Sequence, residues 1–301
     1  MNEANTVNQF PGGAVARGTA AISEPLAGAD LSIGNGFTAR SFRAADIGPL
    51  MDPLVMVDHY VMTQPTFGIH PHAGMSAVSL LFEDSEGPFH NRDSLGNDFD
   101  LRPGDLYWLS AGSGAVHDES PRANARIHGL QVFVNVPQTQ RFETPTSLLV
   151  RSAAMPVINN AGARVKVALG ESNGIRGATS PSTPMTILDG TIQAGGRFVH
   201  ESVGNRGIWV QTAKGSLDVF VGETTRRLAP GQAVAISANA STEISLNNAS
   251  REPVHFALFD GAQVAESYVQ DGPFVMGTLE QIAAIKAAYD AGQLGSLPNH
   301  Q

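Results

Sequence analysis

The chain has 301 residues, 42% of them hydrophobic, and this length predicts two domains with a core in each. Its net charge of −9 leaves no basic surface for contacts with many phosphates, which excludes direct, charge-driven binding of nucleic acid. Cysteine is absent, which excludes disulfides, thiolate metal sites and cysteine nucleophiles.

The N-terminal segment, Met1 to Arg17, shows no basic stretch followed by an apolar one, and no long apolar run occurs later. We therefore expect a soluble, cytoplasmic protein that does not engage a membrane. The 32 glycines and 18 prolines are spread along the chain, which is typical of many short strands joined by tight turns. These features predict an all-β fold.

Two short patterns in the first half carry possible metal ligands, His70-Pro71-His72 and His117-Asp118-Glu119. In each pattern the ligands stand at positions i and i+2, which point to the same side of a β-strand. Two such strands facing one another would gather three imidazoles and one carboxylate. A single His-x-His pair is weak evidence for a metal site, because both rings are often merely solvated on a strand face. The second pair, which follows a glycine-rich turn, favours a metal site.

Nitrogen and oxygen ligands of this kind suit a divalent first-row ion, and iron(II), zinc, nickel, copper and manganese are all admissible. Four protein ligands on an ion that takes five or six leave positions for water, dioxygen or a chelating substrate. A structural zinc ion would instead fill a closed tetrahedron.

The second half repeats the first at an offset of 127 residues. Residues 101–111, LRPGDLYWLSA, align without gaps on residues 228–238, LAPGQAVAISA, and Ile127-His128 meets Val254-His255 at the same offset. Several matches at one offset predict two copies of one β-module. We place the crossing within residues 137–162 and the domains at residues 1–140 and 141–301.

The repeat also predicts where the chemistry lies. At the same offset, the positions of the candidate ligands His70, His72, His117 and Glu119 fall on Arg197, Val199, Ile244 and Leu246. A small insertion would bring His200 near register, but a lone histidine is more often a surface or capped residue than a ligand. The metal site is therefore expected in the first half, with none in the second.

One helix is predicted near the end of the chain. Thr278 and Gln281 form a capping-box pattern, and Gly292 is a suitable residue to end the helix. Its apolar stripe, expected to pack on a barrel without a catalytic role, consists of Leu279, Ile282, Ile285 and Tyr289.

A series of motifs resembles the pirins, bicupin proteins of the cupin superfamily. In chain order, these motifs are Asp52-Pro53-Leu54, Asp58-His59-Tyr60, His70-Pro71-His72-Ala73-Gly74, His90-Asn91-Arg92-Asp93-Ser94-Leu95-Gly96-Asn97, Pro103-Gly104-Asp105, Trp108, Ala111-Gly112, Val116-His117-Asp118-Glu119, His128-Gly129-Leu130-Gln131 and Gly272-Pro273-Phe274-Val275-Met276.

The resemblance implies two tandem cupin (jelly-roll) barrels with a short C-terminal helix. It implies one metal in the N-terminal barrel, held by residues matching His70, His72, His117 and Glu119, with iron(II) the metal most associated with the family. Some bacterial pirins open the flavonol quercetin with dioxygen, whereas the animal pirin is described as an iron-dependent transcriptional coregulator.

Two functions from different classes follow from this resemblance. The first is a quercetinase-like dioxygenase, in which Glu119 serves as both ligand and catalytic base toward a small flavonol or catechol-type substrate. The second is a redox-sensing regulatory module that binds a protein partner according to the oxidation state of its iron. In a third reading, the metal only stabilises the fold.

Several positions depart from the usual pirin pattern. Ala73, Ser76, Tyr107 and Ser113 stand where other residues are common, and Asn91 looks like an insertion in a His-Arg-Asp-Ser run. Because the four candidate ligands are retained, these departures affect the expected identity of the substrate more than the expected binding of a metal.

Overall fold

The computed structural model describes residues 6–8 and 20–297. The expectation for Met1 to Arg17 therefore lies outside the described residues, apart from one three-residue strand. None of the helices in these residues is long and apolar enough to cross a membrane.

The first half consists mainly of short strands. They are β1 (Thr6–Asn8), β2 (Ala20–Ile22), β3 (Ala29–Ile33), β4 (Phe37–Arg43), β5 (Leu54–Met62), β6 (His70–His72), β7 (Met75–Leu81), β8 (Phe89–Asp93), β9 (Asp98–Leu101), β10 (Leu106–Ser110), β11 (Ala115–Pro121), β12 (Ile127–Asn135) and β13 (Thr146–Val150).

The second half continues in the same style. Its strands are β14 (Val157–Asn160), β15 (Ala163–Leu169), β16 (Glu171–Ser172), β17 (Ile175–Arg176), β18 (Met185–Ile192), β19 (Arg197–Ser202), β20 (Arg206–Lys214), β21 (Leu217–Val221), β22 (Thr224–Leu228), β23 (Ala233–Ala238), β24 (Thr242–Asn247), β25 (Val254–Ala262), β26 (Tyr268–Asp271) and β27 (Phe274–Met276). The helices are α1 (Ala44–Ile47) and α2 (Leu279–Asp290), and short 3-10 turns lie at Pro49–Met51, Gln138–Gln140 and Ser152–Ala154.

The two halves have the same sheet topology. In the first, a seven-stranded sheet ordered β13-β10-β7-β12-β5-β4-β3 accompanies a four-stranded sheet ordered β6-β11-β8-β9. In the second, the corresponding orders are β2-β23-β20-β25-β18-β15-β14 and β19-β24-β21-β22. We call these units the N-terminal and C-terminal jelly rolls. The predicted all-β fold with two tandem modules is confirmed, and each module is a pair of sheets rather than a closed barrel.

The jelly rolls exchange their edge strands. β2 lies near the start of the chain but pairs with β23 in the C-terminal jelly roll. β13 lies beyond the expected domain boundary at residue 140 but pairs with β10 in the N-terminal jelly roll. The chain therefore crosses between the two units more than once.

The two seven-stranded sheets pack against each other through a shared apolar core. Along β10, Leu106 and Trp108 belong to this shared core, whereas Tyr107 and Leu109 belong to a second cluster within the N-terminal jelly roll. Alternate residues of the strand thus serve opposite faces, and both faces are buried. Trp108 is fully buried in the shared core.

Helix α2 packs on β26 and β27, in an apolar cluster that also contains Val116 of β11 and Ala73, which follows β6. The Thr278 hydroxyl accepts a hydrogen bond from the Gln281 backbone N–H at 3.2 Å, and Gly292 follows the helix at φ 71°, so both predicted helix ends are confirmed. Ile282 and Ile285 are buried in a cluster with Ala73 and Val116, although Leu279 of the predicted stripe is 46% exposed. The end of the chain therefore supports the strands that carry the histidine pairs.

Candidate metal centre

Strands β6 and β11 bring three of the four candidate ligands together. Their antiparallel register sets His117 opposite His70 and Ala115 opposite His72, so all three imidazoles lie on the same face. The His117 Nε2 lies 2.9 Å from the Nε2 of His70 and 2.9 Å from the Nε2 of His72. All three ligand nitrogens lie within 4.8 Å of one another.

These short separations fit a shared metal ion better than hydrogen bonds between rings. An imidazole nitrogen carries either one proton or one lone pair, so the His117 Nε2 cannot make good hydrogen bonds to both neighbours. Two imidazoles bound at right angles to one ion, with bonds of about 2.1 Å, would hold their nitrogens about 3.0 Å apart. The spacing in this structure matches that arrangement.

The protonation of the histidines also suits a metal. Burial lowers the pKa of His70, and it lowers those of His72 and His117 well below the ordinary value, with the neighbouring imidazoles adding to the effect. The Nδ1–H of His70 donates to the Gly68 carbonyl at 2.8 Å, which leaves the Nε2 lone pair pointing to the centre. Neutral imidazoles of this kind are what metal binding requires.

Glu119 lies on the same face of β11 but stands apart from the triad. Among the described residues, the group of potential ligands within 4.8 Å of one another contains the three histidines and not this carboxylate. The Ser79 hydroxyl donates to the Glu119 Oε1 at 2.8 Å. Burial raises the pKa of Glu119 to about 7, although the hydrogen bond from Ser79 opposes that shift. In this structure Glu119 is a buried carboxyl beside the histidines.

Unpaired polar groups line the interior around Glu119. Asn91 is opposite Glu119 in the pairing of β8 with β11, is fully buried, and has no hydrogen-bond partner for either atom of its amide within the described part of the chain. The buried Tyr60 hydroxyl is likewise unpartnered there, and the negative charge of Glu119 helps to raise the pKa of Tyr60. Two buried polar side chains beside Glu119 therefore have no protein partner among the described residues.

The positions that depart from the pirin pattern separate into two sets. Tyr107 and Asn91 face the interior, where the Tyr107 hydroxyl donates to Asp93. By contrast, Ser76 contacts the Ser182 hydroxyl at 2.8 Å, Ala73 packs in the α2 cluster, and the Ser113 N–H donates to the Glu143 carbonyl. Only the first set faces the interior that contains Glu119.

Sequence reasoning did not single out Ser79 or Tyr60 as parts of the site. Tyr60 occurs in one of the family-like motifs, and Ser79 is a hydroxyl residue in the apolar strand β7. Each of these features is only weak evidence for a role in the site. Their approach to Glu119 depends on strands far apart in sequence.

The C-terminal jelly roll preserves the strand pairing and not the ligands. His200 on β19 is opposite Ile244 on β24, as His70 is opposite His117. Strand pairing therefore makes His200 the counterpart of His70, which a three-residue shift from the offset of the repeat explains. The counterparts of His72, His117 and Glu119 are Ser202, Ile244 and Leu246.

Comparisons with known proteins agree with this architecture. The family model described as Pirin matches residues 34–134, and the model described as Pirin C-terminal cupin domain matches residues 187–295. Pirin from Rattus norvegicus is 31% identical over 237 residues, covering 78% of this chain and 79% of the rat protein. Pirin from Homo sapiens is 30% identical, covering 77% of this chain and 79% of the human protein.

Solved structures share the same fold. A quercetin 2,3-dioxygenase from Acinetobacter baumannii superposes with a TM-score of 0.80 at 24% identity, covering 93% of this chain and 99% of that one. The bacterial pirin YhhW from Escherichia coli, solved in complex with nickel(II), gives a TM-score of 0.61 at 20% identity, covering 82% of this chain and 100% of that one. At these identities the likeness establishes the fold alone.

Proposed function

Because this chain belongs to the pirin family, we propose that it is a metal-dependent dioxygenase whose centre is built on His70, His72 and His117. The observation that carries the proposal is the convergence of three buried imidazole nitrogens in the N-terminal jelly roll. The proposed substrate is a small aromatic molecule of the flavonol or catechol type, together with dioxygen.

Iron(II) is the metal we propose, with zinc, nickel, copper and manganese as the alternatives that nitrogen and oxygen ligands also accept. A bound ferrous ion would supply the electron exchange that lets dioxygen react with a closed-shell organic molecule. The relatives support the class of reaction and the binding of a metal: one similar structure is named a quercetin 2,3-dioxygenase, and another is a nickel complex.

Glu119 is the proposed catalytic base. A carboxyl whose pKa burial has raised to about 7 is well matched to take a proton from a phenolic hydroxyl near neutral pH. The Ser79 hydroxyl fixes one oxygen of this carboxyl, so the other can face the substrate or complete the metal's ligand set. A carboxylate tightly held by a cation is a weak base, and the separation of Glu119 from the triad suits the role of base.

Asn91 and Tyr60 are the groups we propose to orient the substrate. Each places a polar atom without a protein partner in the buried interior beside Glu119, within the part of the chain that the structure covers. A buried polar group of this kind is costly unless something pairs with it, and the hydroxyl and carbonyl groups of a flavonol offer both donors and acceptors.

Oxygen uptake by the iron-reconstituted protein tests the proposal. We expect dioxygen consumption that depends on quercetin or another compound in a flavonol and catechol panel, together with loss of flavonol absorbance. Glu119→Gln should lower turnover by more than about 100-fold, since general acid–base catalysis contributes factors of this size. The far-ultraviolet circular dichroism of this variant should match that of the unmodified protein.

Absence of uptake and of absorbance change across the panel, with iron bound, would rule the dioxygenase out. The redox-sensing regulator would then be the better account of the same centre. Its signature would be different sets of captured proteins for the ferrous and ferric forms.

A further inference from the structure

A cavity of about 740 Å³ opens in the C-terminal jelly roll, and none of the three metal-centre histidines lines it. Its wall includes Ser172, His200 and Asp260, together with arginine and glutamate side chains. The three named residues are 4%, 1% and 2% exposed, so the cavity reaches a buried polar cluster.

These residues form a continuous hydrogen-bonded chain. The Ser172 Oγ lies 3.0 Å from the His200 Nδ1, and the His200 Nε2 lies 2.9 Å from the Asp260 Oδ2. Since a carboxylate only accepts, the Nε2–H of His200 donates to Asp260, and the lone pair of Nδ1 accepts from the Ser172 hydroxyl. A serine, a histidine and an aspartate connected in this order form the arrangement that activates a serine nucleophile.

Local structure fixes each member of the chain. Ser172 ends β16 directly before a two-residue turn in which Asn173 and Gly174 both have positive φ, at 50° and 75°. An Asn-Gly pair in this conformation is the favoured connection of a tight hairpin. The Asn173 side-chain amide donates to the Ser172 Oγ at 3.1 Å and to the Val199 carbonyl at 2.9 Å, which ties the hairpin to β19.

The other two residues stand on the jelly-roll framework. His200 occupies the strand position that His70 occupies in the N-terminal jelly roll. Asp260 lies on β25 and forms an ion pair with Arg206, whose Nε is 3.0 Å from the second carboxylate oxygen. The strand position of the candidate ligand His70 therefore carries, in the other half, the central histidine of a hydrogen-bonded chain.

We propose that this cavity is a second active site, in which Ser172 is the nucleophile for hydrolysis of small polar esters of carboxylic acids. The Ser172 Oγ attacks the ester carbonyl carbon while its proton passes to the His200 Nδ1. The same proton then goes to the departing alcohol oxygen as the ester bond breaks. Water, deprotonated by His200, attacks the acyl-serine, and the acid leaves as Ser172 regains its proton. The overall change is one water added to one ester.

The wall of the cavity indicates the class of ester. Carboxylates and guanidinium groups both line it, among them Glu171, Glu243, Arg176 and Arg206. Such a wall favours a short acyl group with polar substituents over a long alkyl chain, because burying charged groups against an alkyl chain without partners is unfavourable.

Covalent labelling of the unmodified protein is the first test. After a chelator has removed metal ions, the protein is incubated with a fluorophosphonate probe and digested, and its peptides are analysed by mass spectrometry. We expect the probe on Ser172. Failure to label any residue, or labelling only at other residues, would overturn the proposal without reference to any variant.

Hydrolysis of p-nitrophenyl acetate is the second test. Ser172→Ala and His200→Gln should each lower kcat/KM by more than about 100-fold. Ser202→Ala is the matched control. Ser202 is a buried serine on β19 that does not line the cavity, and among residues 6–8 and 20–297 its hydroxyl donates to the adjacent Val203 carbonyl alone. Its rate should stay within about twofold of that of the unmodified protein.

A rate that Ser172→Ala leaves unchanged would contradict a nucleophilic Ser172. Metal removal distinguishes this proposal from the dioxygenase, since esterase activity should survive chelation and oxygen uptake should not. Either proposal can therefore fail while the other stands.

Discussion

The two jelly rolls share a strand order and a pairing register, and they differ in what fills their interiors. On the paired strands of the first stand His70, His72, His117 and Glu119, whereas the second has His200, Ser202, Ile244 and Leu246 at the corresponding positions. The backbone therefore has the same strand pairing in both halves, and a few side chains decide the chemistry of each interior.

The C-terminal jelly roll has apolar side chains at the two positions that correspond to His117 and Glu119. Ile244 and Leu246 are fully buried there among aliphatic side chains. In the N-terminal jelly roll, the polar groups of His117, Glu119 and Asn91 are buried instead, and buried polar groups lower stability unless they are paired. The comparison therefore places the candidate metal centre in the first interior, at positions that are apolar in the second.

Replacing one of the three proposed histidine ligands should have the largest effect, and that effect is on metal affinity. We expect His72→Ala to weaken iron(II) affinity by more than about 100-fold, since even the loss of residues that merely support metal ligands costs about 10- to 100-fold. Metal content after dialysis against buffers of defined free metal measures this change.

His255→Gln is the control for metal content. His255 is a histidine of the C-terminal half that pairs with Asp189 at 2.6 Å. Equal loss of iron from both variants would show that metal binding depends on overall folding rather than on the triad.

The next largest effect is expected on stability, from shortening a side chain of α2 that packs in the cluster with Val116 of β11. Ile282→Ala on α2 removes a side chain that is 3% exposed and packed in the cluster with Ala73 and Val116. We expect the free energy of unfolding to fall by about 2–5 kcal/mol, as for similar core truncations.

Leu279→Ala on the same helix provides the comparison. Its side chain is 46% exposed, so a change within about 0.5 kcal/mol is expected. Urea denaturation of both variants would test the assignment, and similar losses would argue against the packing described for α2.

Two histidines between the jelly rolls, His59 and His255, should make the free energy of unfolding depend on pH in opposite directions. Burial, with the neighbouring His128 and His255, lowers the pKa of His59 to about 4. Below about pH 6.5 the unfolded chain binds a proton at His59 that the folded protein does not. The free energy of unfolding therefore falls as the pH drops from about 6.5 to about 4, by about 3 kcal/mol at most. Burial acts to lower the pKa of His255, but Asp189, together with Asp84 and Glu83, raises it overall, so the stability that His255 contributes is lost as the pH rises.

Thermal or urea unfolding across pH 4 to 7.5 would measure the effect of His59. His59→Gln should flatten the loss of stability on the acid side. An unchanged slope would mean that other groups, not His59, carry the acid sensitivity.

The smallest expected change in stability concerns Asn91. Its amide has no hydrogen-bond partner among the described residues, so Asn91→Leu should change the free energy of unfolding by no more than about 1 kcal/mol. The same variant should raise the KM for the aromatic substrate if the amide orients it. Steady-state oxygen uptake combined with urea denaturation separates the two effects, and a large loss of stability would show that Asn91 serves the fold instead.

The sequence was most informative where the pattern is local. His70-Pro71-His72 and His117-Asp118-Glu119 needed only the two-residue period of a strand to be placed on one face, and the structure brings their three histidines together. The ends of α2 are likewise local, because the Thr278 hydroxyl caps an N–H three residues away and Gly292 adopts a positive φ.

Features that depend on distant strands could not be predicted in this way. The shift that makes His200 the counterpart of His70 arises from a difference in loop length, which a fixed offset cannot reveal. The exchange of β2 and β13 between the two sheets, and the contact of Ser79 with Glu119, require the folded arrangement. The hydrogen-bonded cluster of Ser172, His200 and Asp260 could not be predicted, because its three residues lie on strands that are far apart in sequence.

X-ray absorption at the iron edge of the anaerobically reconstituted protein tests the central claim, that the triad is the metal centre, most directly. One ion per chain is expected, with the scattering of three imidazole ligands in its coordination shell. A shell without histidine scattering, or one unchanged in His72→Ala, would contradict the account.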